Sequence, residues 1–251
     1  MNIAVCLCQV PDSASVIGFA DGALDRSRIN EVMNPYDEYA LEEAVCLKER
    51  IAGSLVTVFT VAPLSAKDML RKALALGADR AVLVSAAEPS DPYFTALQLK
   101  SALMEFYEGI LPDLVFCGKS STDFQSAEVP SMLGALLGIA SVSGVTSLNV
   151  SGEHLHLERE IEGGVEQIEL HYPVVISAEK GLNQPRKTTV KAVMEARKKP
   201  IDLLAVSVDG APLVLVSDFK ALERKKVCRF AEDEKELVLL LSNECSLFSA
   251  D

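Results

Sequence analysis

From residue 3 to residue 137, short unbroken apolar runs alternate with stretches of helical length, and few folds accept such a pattern. Residues 3–10 are an apolar run that stops at Pro11-Asp12 and read as a first strand. Residues 37–50 carry Tyr39, Ala40, Ala44, Val45 and Leu47 at helical spacing. Asn34 can cap this helix, Pro35 suits its first turn, and Asp37, Glu38, Glu42 and Glu43 complement its dipole. Gly53 closes it, and the β-branched, apolar residues 55–61 form a second strand stopped by Pro63. The spacing then predicts a helix over 67–76 ended by Gly77 and a strand over 81–84 ended by Glu88-Pro89. A helix over 93–107, a strand over 114–117 and a helix from about 126 to 137 follow. Strands without polar alternation, joined by helices, imply a parallel sheet covered on both faces. The expected class is α/β, with a doubly wound, mostly parallel sheet.

The pattern changes beyond Gly138. Residues 145–150 and 154–161 alternate apolar and polar, and Gly163-Gly164 separates them from a third alternating run over 165–170. Paired glycines accept the positive φ of a tight hairpin, so an antiparallel β-hairpin is expected as an addition to the sheet. Residues 174–177 return to a buried strand. Residues 179–199 are polar and basic, contain Pro185 and show no apolar period, which suits an exposed loop and a short helix from about Val190. One α/β domain over residues 1–200 and an extended C-terminal tail over 201–251 follow. The tail holds weak signals for strands at 206–208 and 213–216 and for a helix at 233–241. A tail that buries little on its own domain suits packing on a partner subunit.

A net charge of −12, from 36 acidic and 24 basic residues, disfavours nucleic acid as a partner, since phosphate binding needs clustered Lys and Arg. No apolar stretch approaches the roughly 20 residues that span a bilayer, and residues 1–10 lack the basic start of an export signal. A cytoplasmic location without a membrane span is expected. Cys6, Cys8, Cys46, Cys117, Cys228 and Cys245 show no CxxC spacing and are expected as free thiols, Cys6 and Cys8 sharing a strand face. His154, His156 and His171 lie far from them in sequence and offer no complete ligand set, so no metal is expected. GxSxG and HExxH are absent, and no other catalytic set stands out; an enzyme is not expected.

Ligands of doubly wound sheets sit outside the carboxyl ends of the strands, which directs attention to the loops at 8–15, 61–65, 88–92 and 118–126. The most informative is Gly118-Lys119-Ser120-Ser121-Thr122-Asp123-Phe124-Gln125-Ser126. It offers a glycine at a strand end, a lysine, small hydroxyl residues and a helix start whose free N–H groups favour an anion. A phosphate site is one reading; a polar turn that caps the next helix is the other.

Asn34-Pro35-Tyr36-Asp37-Glu38 running into Ala40-Leu41-Glu42-Glu43-Ala44-Val45, followed by Ala73-Leu74-Ala75-Leu76-Gly77-Ala78-Asp79-Arg80, closely resembles the electron transfer flavoprotein beta subunit. Pro112-Asp113-Leu114-Val115 with Cys117-Gly118-Lys119, Arg159-Glu160-Ile161-Glu162-Gly163-Gly164, Leu182-Asn183-Gln184-Pro185-Arg186 and Met194-Glu195-Ala196-Arg197-Lys198-Lys199-Pro200 follow in family order, over about residues 1–202. The resemblance implies an adenine nucleotide alpha hydrolase-like core and an alpha-subunit partner that holds most of the redox FAD. It further implies AMP, or in bifurcating relatives a second FAD, against Cys6, Asn34, Pro35, Tyr36, Asp37, Val61 and the loop from Gly118 through Ala127, Glu128 and Val129. The segment Leu182 to Arg186 resembles the recognition loop that grips acyl-CoA dehydrogenases, an apolar leucine among polar residues. Electrons would pass from such flavin dehydrogenases, in fatty acid oxidation, toward a quinone oxidoreductase or another acceptor.

Two departures alter that expectation. Glu128-Val129-Pro130 stands where the family usually has Gln-Thr-Gly or Gln-Val-Gly, so a carboxylate replaces an amide and a proline a glycine beside the expected phosphate. At about 4 Å two like charges repel by roughly 4 kcal/mol near a protein surface, and AMP affinity is expected to be weak or altered. Lys187 replaces an aromatic and Gln184 an acid, making the recognition segment more basic and suiting a different dehydrogenase. The alternative reading is a stand-alone nucleotide-binding regulatory protein of the universal-stress type, which needs neither the Gly163-Gly164 hairpin nor the Leu182 segment.

Overall fold

Ile3, Ala4, Val5 and Cys6 are all buried, and the strand they form, β1 (Asn2–Cys6), is paired in parallel along both edges. The computed structural model describes residues 1–20, 23–86, 91–216 and 228–245. After β1 come β2 (Gln9–Pro11), β3 (Gly18–Ala20), β4 (Ala23–Asp25), β5 (Glu31–Met33), α1 (Pro35–Arg50), β6 (Leu55–Ala62), α2 (Lys67–Leu76), β7 (Arg80–Ser85) and α3 (Pro92–Phe106). They continue with β8 (Leu114–Gly118), α4 (Val129–Leu137), β9 (Ala140–Ser151), β10 (His154–Ile161), β11 (Gly164–His171), β12 (Val174–Ala178), α5 (Val190–Ala196), β13 (Ile201–Leu204) and α6 (Glu234–Cys245).

Nine strands join in one sheet, ordered β11-β10-β9-β12-β8-β1-β6-β7-β13. From β1 the chain winds outward through β6 and β7, then places β8 on the opposite edge of β1 and β12 beyond it, all in parallel. The loops that leave β1 and β8 therefore diverge at the carboxyl ends of neighbouring strands, the place where such sheets take their ligands. Side chains alternate across a strand. Ile3 and Val5 accordingly join the apolar cluster that contains Leu41, Leu47, Leu70 and Leu74 of α1 and α2. Ala4 and Cys6 join the one that contains Leu99 and Leu103 of α3 and Leu133 of α4. Each fully buried leucine contributes about 1.5–3 kcal/mol, which makes these two layers the foundation of everything at the strand ends.

The α/β class and the mostly parallel sheet agree with the sequence, and the antiparallel addition follows from the two glycines: Gly163, at φ 82°, turns β10 into β11. This addition is part of the same sheet, because the first half of β9 pairs in parallel with β12 before its second half pairs antiparallel with β10. Several expectations are corrected. The run at 3–10 breaks after Cys6 and resumes as β2, which pairs with β5 outside the main sheet; Cys8 is exposed and shares no strand face with buried Cys6. The helix expected from 126 begins at Val129, with Pro130 in its first turn and left-handed Gln125 and Ala127 before it. No strands form at 206–208 or 213–216; the ninth strand is Ile201–Leu204, parallel to β7, so the sheet extends past residue 200. The helix expected at 233–241 is present as α6. Cys6, Cys8, Cys46, Cys117 and Cys228 are free thiols. Among the described residues no helix is long and apolar enough to cross a membrane.

Candidate nucleotide crevice and partner-facing segment

α1 begins where β1 and β8 end, and its first turn ties the two strands together. Asp37 is 3% exposed, and its carboxylate accepts the backbone N–H of Cys8 at 2.5 Å and of Gly118 at 2.9 Å. Asn34 Nδ2 donates to the same carboxylate at 3.0 Å and to the Ser120 carbonyl at 2.9 Å. Asn34 is thus a brace and not the side-chain cap its position suggested, since no cap hydrogen bond forms there. Its own Oδ1 is buried without a partner, an acceptor that a ligand's N–H can satisfy. Burial pushes the Asp37 carboxyl up to about 7, against the pull of its three donors. Glycine is required at 118: a Cβ there would overlap Asp37 Oδ1 and lie 2.9 Å from the Asp37 backbone nitrogen.

The fold brings Asn34 and Asp37, which only the family resemblance had pointed to, beside Gly118 and Ser120 of the loop after β8. Cys6 is different. Its side chain is buried in the α3/α4 layer together with that of Cys117, below the strand ends. Val61 packs at the border of that same layer. Lys119 turns away to pair with Glu179, which raises its pKa and occupies its charge. Thr122, Asp123, Phe124, Gln125, Ser126, Ala127 and Glu128 are exposed, with Ser121 and Val129 half-buried. Gln125 and Ala127 have φ of 56° and 57°, a conformation costing a non-glycine residue of order 1–3 kcal/mol and concentrated at ligand-binding loops. The loop at 88–92 falls mostly outside the described residues; Asp91, which is described, caps α3 and accepts the backbone N–H of Leu213 at 2.7 Å.

These residues fit the two ends of an adenine nucleotide unequally. The orphaned Asn34 oxygen suits an exocyclic amine. The phosphate end is poor: Glu128 stands at the start of α4, Pro130 contributes no N–H, and Lys119 is already paired.

Leu182, Asn183, Gln184, Pro185 and Arg186 lie against α1. Leu182 is half-buried and packs on the main apolar cluster instead of standing free. Asn183 Nδ2 donates to the Tyr39 carbonyl at 3.0 Å and to Glu43 at 3.1 Å. The Arg186 guanidinium forks onto Glu42, at 2.9 and 3.0 Å, and onto Glu49, at 2.6 Å. Burial raises the Glu42 carboxyl, but donation from Arg186 outweighs it and leaves the pKa lowered; Arg186 likewise lowers that of Glu49. Local pattern assigns Glu42 and Glu43 a helix-dipole role only. Their task as anchors for a loop some 140 residues away carries no local signal. A groove of about 530 Å³ runs beside this clamp, between Leu41, Leu76, Pro185 and the Glu38–Lys72 pair.

Residues 21–209 match the family described as electron transfer flavoprotein domain. The electron transfer flavoprotein subunit beta of Syntrophomonas wolfei is 32% identical over 94% of this chain and 92% of its own length. The subunit beta of Thermoanaerobacterium thermosaccharolyticum is 38% identical over 81% of this chain and 78% of its own. Protein FixA of Azotobacter vinelandii is 31% identical over 92% of this chain and 88% of its own.

Proposed function

The chain belongs to the electron transfer flavoprotein family, among its beta subunits, and on that premise we propose that it is the beta half of a two-subunit flavin electron carrier and not an enzyme by itself. The observation that carries this reading is the extent of the matched stretch. It takes in the start of α1, the loop after β8, the hairpin and the segment at 182–186 together, and the last two have no use in a stand-alone nucleotide-binding domain. An alpha-type partner holds most of the FAD, which supplies the redox chemistry, and this chain provides a wall and a docking surface. Segment 182–186 faces a flavin dehydrogenase of the acyl-CoA dehydrogenase class, and a quinone oxidoreductase or other acceptor takes the electrons. The strand-end residues around Asn34 and Gly118 retain AMP weakly, because its anionic end meets Glu128 and, among the described residues, Lys119 is already paired with Glu179.

Co-expression with an alpha-type subunit, followed by a visible spectrum and chromatography of the nucleotides released on denaturation, tests both statements. The expected result is a yellow heterodimer containing one FAD and well under one AMP. A colourless homodimer would overturn the carrier reading in favour of a universal-stress-type protein, whereas stoichiometric AMP would overturn the weak-site reading alone.

A further inference from the structure

All three histidines of the chain, separated by up to 17 positions, come to lie on one exposed face of the β9–β10–β11 meander. His154 on β10 is directly opposite His171 on β11, and His156, two residues along β10, is directly opposite Glu169. Residues two apart on a strand share a face, and Leu155 and Leu157 between and beyond them are buried on the other side. The two facing imidazoles lie 4.5 Å apart between ring centroids.

Hydrogen bonding sets the tautomer of each ring. His171 Nδ1 lies 3.2 Å from the Glu153 carbonyl oxygen, which can only accept, so Nδ1 carries the proton. His154 Nδ1 lies 2.9 Å from Glu169 Oε1, a carboxylate that also accepts. Both neutral rings are left with a bare Nε2 lone pair. This is the arrangement of metal-binding histidines, whose second nitrogen is held by a carboxylate or a backbone carbonyl. The end of the meander is further fixed by the Tyr172 hydroxyl, which donates to the Gly152 carbonyl at 2.5 Å.

We propose that this face binds one divalent transition-metal ion through Nε2 of His154 and His171. His156 turns in as a third ligand, Glu169 positions His154, and solvent fills the remaining places. Imidazole ligands select zinc, copper or nickel over magnesium and calcium. Among the described residues no three such donors converge as the side chains stand. The facing pair supplies two of the donors at neighbouring positions, and rotamer changes bring their Nε2 atoms and that of exposed His156 onto the ion. The negative charge of the chain, −12 overall, favours a cation here. Sequence spacing concealed the site because β11 must fold back on β10 before position 171 meets position 154.

Isothermal titration of the full chain, made without a polyhistidine tag and stripped of metal, with zinc chloride and with nickel chloride tests the proposal. One ion per chain is expected. His154→Ala and His171→Ala should each weaken binding at least about tenfold, and Glu169→Gln by roughly tenfold through loss of the orienting hydrogen bond. His156→Ala should weaken it as well, and an unchanged affinity would remove that residue from the site. X-ray absorption of the loaded protein should show nitrogen neighbours at about 2.0–2.1 Å for zinc. Because the four positions are exposed, unchanged circular dichroism is expected to accompany each loss. Absence of binding at about 1 mM metal, where even a weak site would show, or wild-type affinity in the His154→Ala/His171→Ala double variant, would overturn the proposal.

Discussion

Asp37 is one of four carboxylates near the start of α1, yet it alone holds two strand ends at once. Its three partners all donate, and the ionised carboxylate, which only accepts, matches them. Asp37→Asn puts an amide N–H against one of those donors and should cost about 1–3 kcal/mol for each N–H left unmatched, measured by urea unfolding at neutral pH. The pH dependence has a definite sign. The folded-state pKa is raised to about 7 from an ordinary value of about 3.9, so the native state holds the proton more tightly. That contribution is complete below the ordinary value and is lost as pH rises through about 7. The Asp37→Asn variant should accordingly show a flatter fall in stability between about pH 4 and 7 than the wild type; parallel curves would refute the assignment. The carboxylate was recognisable in the sequence as a helix-start residue. Its partners were not, because positions 8 and 118 come together only when β8 is laid beside β1.

At the scale of elements, the segment at 182–186 depends on α1 for its shape. Arg186 clamps it to Glu42 and Glu49 while Asn183 clamps it to Glu43. Arg186→Ala should free the segment, raising its amide exchange relative to the sheet and costing about 1–3 kcal/mol, since Glu42 then stays buried without its partner. Glu42 and Glu49 have lowered pKa values, so their contribution is present above the ordinary glutamate pKa of about 4.3 and is lost as pH falls through the lower folded values. Exchange in this segment should therefore rise in acid before exchange in the central strands does. Helices α1 and α2 and strands β6 to β8 were legible because each has its own apolar period and punctuation. α4 starts three residues beyond its expected place: glutamine and serine at 125–126 look permissive of helix, but left-handed backbone at Gln125 and Ala127 postpones it.

For the molecule as a whole, the last elements divide into those the sheet keeps and those it does not. β13 is joined to β7 by a parallel ladder. Beyond it, Leu213, Val214, Leu215 and Val216 are exposed, as are Leu237, Val238 and Leu239 on α6, and we propose these apolar stretches as the part of the chain that a partner covers. A chain ended after Gly210 should retain the melting temperature of the full chain within a few degrees, since the described residues beyond it are mostly exposed, and should lose association with the alpha-type subunit in co-purification. Retained association would show that the tail is not the strap.

The sequence by itself determined the element types, the parallel sheet, the Gly163 hairpin and the family, because these rest on local periodicity, on turn chemistry and on residue strings readable in order. The tertiary structure decided which residues meet. The Asp37 brace, the Arg186 clamp, the pairing of Lys119 with Glu179 and the facing histidines each join positions that no local rule connects. They exist because the backbone ladder and the two apolar layers place strand ends and helix faces first, and polar side chains then take the partners left within reach.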